Sequence, residues 1–139
     1  MTAKPERAVI DTLRGAAEEA MRRAYAPYST FRVGAALLGD DSTVTVGCNV
    51  ENASFSATIC AERAALASAV AHGVKSFTAM VLVTEAVHPT PPCGVCRQVL
   101  VEFAPGLPVV SFASGGAQAC WSLGELLPHP FNPESLEHV

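Results

Sequence analysis

Residues 60–112 read CAERAALASAVAHGVKSFTAMVLVTEAVHPTPPCGVCRQVLVEFAPGLPVVSF, and the pattern of this stretch decides the fold class. Cys60 to His72 is alanine-rich with no internal Gly or Pro, which predicts a helix, and Gly73 supplies its stop. Ala79 to Thr84 is a short apolar run of the buried-strand type. Cys93 to Phe103 predicts a second helix, ended by Pro105, and Leu107 to Phe112 predicts another strand. Helices alternating with strands in this way call for a sheet that is parallel where helical crossovers intervene.

Working towards the amino terminus, Thr43 to Val50 is rich in β-branched residues and Phe31 to Leu38 is apolar. The intervening Gly39-Asp40-Asp41-Ser42 predicts a hairpin, so the sheet begins antiparallel. From Glu6 to Tyr25, Val9, Ile10, Leu13, Ala17, Ala20, Met21 and Ala24 recur at helical spacing, with Glu18, Glu19, Arg22 and Arg23 mostly opposite. Ala26-Pro27-Tyr28-Ser29 breaks this amphipathic helix. Towards the carboxyl end, Ala117 to Trp121 suits a further strand, and Ser122-Leu123-Gly124-Glu125 has the form of a capping box. The expected fold is α/β: a mixed five-stranded sheet flanked by helices in three layers, with 139 residues forming a single domain.

Half of the residues are hydrophobic, enough for a sizeable core, and the formal net charge is -4. A mildly acidic chain without basic runs is unsuited to the phosphate backbone, so no nucleic-acid partner is expected. No apolar stretch approaches the roughly 20 residues that span a bilayer, and no apolar run follows Met1-Thr2-Ala3-Lys4. The expectation is a soluble, cytoplasmic protein without a membrane partner. Five cysteines without a secretion signal argue for metal binding over disulfides.

The chemistry concentrates in Cys60-Ala61-Glu62-Arg63 and Pro92-Cys93-Gly94-Val95-Cys96-Arg97-Gln98. Cys93 and Cys96 have zinc-site spacing, with both sulfurs on one helical turn, and Cys60 can be a third ligand if its helix start points at theirs. Three protein ligands leave a tetrahedral position open to water, as in catalytic zinc sites. Glu62 then acts as a proton shuttle and not as a ligand. Both Cys60 and Cys93 fall at expected helix N-termini, which favour negative charge. Three thiolates on a divalent ion leave a net charge of about -1, which Arg63 would offset. A ligand two residues before Glu, followed by Pro-Cys-x-x-Cys, is the established signature of zinc deaminases.

These blocks, together with Tyr25-Ala26-Pro27-Tyr28-Ser29, Phe31-Arg32-Val33-Gly34-Ala35-Ala36, Gly47-Cys48-Asn49-Val50-Glu51-Asn52-Ala53-Ser54 and Gln98-Val99-Leu100, resemble the cytidine deaminase family. The likeness is to its short, usually homotetrameric members, and it spans roughly Ala24 to Phe103. The resemblance implies one zinc ion per subunit on Cys60, Cys93 and Cys96, proton transfer by Glu62, and hydrolysis of cytidine and 2′-deoxycytidine in pyrimidine salvage. It further implies ribose contacts from Asn49 and Glu51, base stacking on Phe31 and a substrate contact at Ala61. Residues two apart on an extended segment share a face, so Asn49 and Glu51 can reach one ligand together. Gln98 is a candidate support for a ligand, and Phe55 and Phe131 are candidates for contacts between subunits. Phe55 stands where family members commonly carry Tyr, and Ser56-Ala57-Thr58 departs from the usual residues.

Plainer readings stand beside these. Cys48 and Cys120 are expected to be buried small apolar residues; as a fourth ligand, either would close the water position and make a structural zinc module. Asn49 could be a turn residue, Glu51 a surface charge and Phe31 core. Arg97 and Gln98 could face solvent, and His72, His88, His129 and His138 are expected at the surface. Rival activities are deamination of another cytosine-containing small molecule or of a polynucleotide, the latter disfavoured by the acidic composition.

Overall fold

The computed structural model describes residues 4–138; the Met1 to Ala3 start lies outside them. Helix α1 (Arg7–Met21) buries Ile10, Leu13, Ala17 and Ala20, the stripe expected from its spacing. It ends before Tyr25, earlier than the sequence pattern predicts. Tyr25 instead forms a parallel bridge with Val50, in keeping with the helix-breaking Ala26-Pro27 that follows. Strands β1 (Val33–Gly39) and β2 (Val44–Cys48) make the expected hairpin. Helix α2 (Ala61–Ala71) leads to β3 (Phe77–Thr84), and α3 (Gly94–Val101) leads to β4 (Pro108–Phe112). Strand β5 (Gln118–Ser122) and the short α4 (Leu123–Leu126) follow, with the capping box between Ser122 and Glu125 formed in both directions.

The sheet order is β2-β1-β3-β4-β5, parallel only between β3 and β4. Alternate residues of its strands face two separate cores. Ile10, Leu13 and Ala17 of α1 pack on Ala36, Val81, Val83 and Val110. Ala61, Ala65 and Ala69 of α2, with Leu100 of α3, pack on Ala35, Leu37, Met80, Leu82 and Val109. The result is the three-layer arrangement around a mixed five-stranded sheet.

Small residues set how closely α2 approaches the sheet. Ala61, Ala65 and Ala69 lie one turn apart and are fully buried. Opposite them, a Cβ built on Gly47 would stand 2.4 Å from the Ala61 carbonyl oxygen and 2.5 Å from the Ala65 nitrogen. Only glycine permits that contact, which draws the first turn of α2 against β2. Because β2 and β3 both run antiparallel to β1, the ends of β2 and β3 and the start of β1 meet at one end of the sheet. The N-termini of α2 and α3 open at that same end.

Two expectations about cysteines fail. Cys48 is only half-buried and Cys120 is exposed. Both lie on edge strands, and α1 packs chiefly over the centre of the sheet, so β5 is left uncovered on that side. The four histidines are all exposed.

Candidate active site

Cys60 and Cys93 are the N-cap residues of α2 and α3, each in an extended conformation that turns the chain into its helix. Cys96 lies at the third position of α3 and is fully buried. The three sulfurs lie within 4.8 Å of one another, and Cys60 Sγ is 3.9 Å from Cys93 Sγ. Tetrahedral zinc with bonds of about 2.3 Å requires sulfurs about 3.8 Å apart, so this donor set fits zinc closely. Neither Cys48 nor Cys120 belongs to the cluster, so the chain offers three sulfur donors there and not four.

The acidities follow from this crowding. Cys60 is pushed down to about 5, first by its hydrogen bond with Cys96 and then by Arg63 and Cys93. Cys96 is pushed up, first by the same bond with Cys60 and then by burial. One thiolate is thus held by the protons of its neighbours, and a divalent cation would take the place of those protons. Arg63 Nη2 donates to Cys60 Sγ at 3.7 Å and to the Thr58 carbonyl at 3.1 Å, which puts its charge beside the sulfurs.

Glu62, in the first turn of α2, is 5% exposed. Burial pushes its carboxyl up to about 7, and the charge on Cys60 adds to the effect. A carboxyl tuned to that range can both accept and release a proton near neutrality.

A cleft of about 330 Å³ leads to Glu62 and the sulfurs, lined among others by Phe31, Asn49, Glu51, Ala61, Thr84 and Thr90. Asn49 and Glu51 share it because Val50 between them is fixed in an extended segment by bridges to Tyr25 and Ile59. Asn49 Nδ2 donates to the Phe31 carbonyl at 2.7 Å, and its Oδ1 accepts from Val33 N at 2.9 Å. The amide keeps one donor and one lone pair for another partner. Glu51 accepts from the backbone nitrogens of Tyr28 and Ser29 and from the Ser29 hydroxyl. Thr30 then turns through a left-handed φ of 57°, uncommon for a β-branched residue, before Phe31 enters the cleft. Arg32 braces this turn through a two-pronged ion pair to Glu85, just past β3.

Residues 9–112 match the family described as the cytidine and deoxycytidylate deaminase zinc-binding region. The chain belongs to the cytidine deaminase family. It is 43% identical over 131 residues to a cytidine deaminase of Sporosarcina psychrophila, covering 94% of this chain and 96% of that one. In structure it is similar to a cytidine deaminase of Burkholderia pseudomallei, with a TM-score of 0.83 and 46% identity, covering 92% of this chain and all of that one. A Mycobacterium tuberculosis cytidine deaminase superposes with a TM-score of 0.76 at 41% identity, covering 87% of this chain and 95% of that one.

Of the residues singled out by sequence, Cys60, Cys93, Glu62, Ala61, Phe31, Asn49 and Glu51 line this cleft, and Cys96 and Arg63 adjoin it through Cys60. Three others sit elsewhere. Gln98 does not support a sulfur: its amide donates to the Phe131 carbonyl at 2.7 Å and accepts from Phe131 N at 3.3 Å. That clamp fixes the carboxyl-terminal segment to α3 and leaves the Phe131 ring 61% exposed. Phe55 is 75% exposed, its ring meeting Tyr28 edge-on beyond the cleft mouth.

Arg97 does not simply face solvent: it donates to the Pro92 carbonyl and the Leu126 carbonyl, both at 2.8 Å. It therefore braces the turn carrying Cys93 against the end of α4. Sequence also gave no sign of the part played by Ser29, Thr84 and Thr90. Each partner lies far along the chain or across a turn, where no periodicity marks it.

Proposed function

We propose that residues 1–139 act as one catalytic domain that hydrolyses cytidine and 2′-deoxycytidine to uridine and 2′-deoxyuridine, with release of ammonia. The observation that carries this reading is a buried carboxyl, Glu62, adjoining three zinc-competent sulfurs at the base of a cleft that also presents Asn49 and Glu51. Cys60, Cys93 and Cys96 would hold a zinc ion, which would supply a polarised water and Lewis-acid stabilisation. Glu62 takes one proton from the attacking water and delivers it to N3 of the pyrimidine; it then takes the water's second proton, from the new hydroxyl on C4, and delivers it to the departing amine, which leaves as ammonia. Phe31 stacks on the base, the Ala61 backbone meets its edge, and Asn49 and Glu51 hold the ribose hydroxyls. Arg63 offsets the surplus negative charge of the thiolates.

The cleft favours nucleosides over nucleotides. No lysine or arginine lines it among the described residues, and Glu51 places a carboxylate at its rim. A 5′-phosphate there would meet repulsion without a compensating cation. The relatives' names support the same substrate class. We further assign one zinc per subunit, a homotetramer in which Phe55 and Phe131 reach neighbouring subunits, and a cytoplasmic place in pyrimidine salvage. No helix among the described residues is long and apolar enough to cross a membrane.

The test is ultraviolet absorbance of cytidine with the purified protein, beside a Glu62→Gln control assayed for zinc. Conversion to uridine by the parent, with a zinc-loaded control slowed by about 100-fold or more, is the expected result. A zinc-loaded parent that leaves cytidine intact overturns it. Turnover of another cytosine compound would then point to a different small substrate, and none at all to a structural zinc.

A further inference from the structure

Ser111 is a polar residue in an apolar place. It lies on β4 between Val110 and Phe112, is fully buried, and pairs in the parallel ladder with Leu82, whose side chain lines the cleft. A hydroxyl there is costly unless bonded. Its Oγ accepts the backbone N–H of Thr90 at 3.1 Å, across 21 residues of chain. Thr90 is itself part of the cleft wall, followed by Pro91 in the same wall, and Cys93 comes two residues later.

The segment from Glu85 to Pro92 crosses from β3 to α3 without regular structure, held at its ends by Arg32 on Glu85 and Arg97 on Pro92 and between them by a few bonds. Ser114 N donates to the Ala86 carbonyl at 3.0 Å, which ties down the segment's start. Thr84 Oγ1 accepts from Ala86 N at 3.2 Å and lies 3.3 Å from Thr90 Oγ1. Thr84 is 3% exposed and closes the cleft beside Leu82. The Thr84 and Thr90 hydroxyls thus meet at the cleft wall, and the Ser111 bond reaches from the interior of β4 to the backbone of that wall.

We propose that Ser111 is a positioning residue for substrate: through the Thr90 N–H it fixes where the Thr90–Pro91 wall stands in the cleft that it shares with Phe31. This rests on the proposed deaminase reading and assigns to that site a determinant of substrate affinity. Ser111 acts on the wall and not on the metal or on Glu62, so its loss affects KM and spares kcat.

Three measurements on the zinc-loaded protein test this. In the parent, the Thr90 amide exchanges with deuterium at least about 100-fold more slowly than the amide of exposed Val87; equal rates overturn the proposal. In Ser111→Ala, KM for cytidine rises about two- to tenfold, the range for one lost hydrogen bond, while kcat and zinc content stay within about twofold. The Thr90 amide loses its protection in the same variant. An unchanged KM, or a kcat loss that follows loss of zinc, overturns the proposal. A parent that does not turn over cytidine sinks the deaminase reading and with it the substrate role. The exchange rates still decide whether Ser111 anchors the wall.

Discussion

Cys60 Sγ and Cys93 Sγ lie 3.9 Å apart although 33 residues separate them along the chain. Each caps a different helix, so the pair closes only when α2 and α3 dock on the same face of the sheet. A metal bound there links the two helices, and its affinity is coupled to their packing. Cys60→Ala is expected to lower zinc affinity by more than about 100-fold, beyond what loss of a supporting residue costs. Chelator competition checks this, and full zinc retention would refute the assignment.

Arg63 donates to both the Thr58 carbonyl and Cys60 Sγ, so it pins the approach to α2 while offsetting thiolate charge. Arg63→Ala is expected to keep part of the zinc and to lower kcat about 10- to 100-fold. Parallel kinetics and metal analysis measure this; unchanged values for both would remove Arg63 from the site.

Gly47 fixes the height of α2 above β2. In Gly47→Ala the new methyl meets backbone atoms of Ala61 and Ala65, which cannot swing aside as a side chain can. The expected cost is about 1–3 kcal/mol in unfolding free energy, with a fall in kcat because Cys60 and Glu62 move with the helix. Denaturant unfolding beside kinetics tests both parts. A variant of parental stability and rate would show that the contact relaxes freely.

The hydroxyl of Ser29 holds the Glu51 carboxyl below its ordinary range, and the backbone nitrogens of Ser29 and Tyr28 add to the effect. A carboxyl depressed in the folded state contributes stability that is complete above its unfolded pKa. That contribution disappears as pH falls through the lower folded value. Ser29→Ala should therefore raise the Glu51 titration midpoint and move the acid limb of KM to higher pH. Carbon-detected NMR titration of the Glu51 carboxyl measures the shift directly, and an unmoved midpoint would refute the clamp.

Sequence alone determined the order of helices and strands, the two helix-start cysteines, the Cys93/Cys96 pair and the family. These are local properties: periodicity of 3.6 or 2, capping residues and ligands on one helical turn are fixed by neighbours a few positions apart. Even there, the first helix ends before Tyr25, because the bridge to Val50 is a tertiary contact. Tertiary structure decided the rest. It closed Cys60 onto Cys93, buried Glu62 and matched Gly47 to the first turn of α2. It tied Asn49 to Phe31 and Val33, Ser29 to Glu51, Arg97 to Pro92 and Leu126, and Ser111 to Thr90. Almost all of these bonds join a side chain to a backbone group, and any residue can supply a backbone N–H or C=O. The identity of such a partner leaves no trace in the sequence, and only the path of the folded chain selects it.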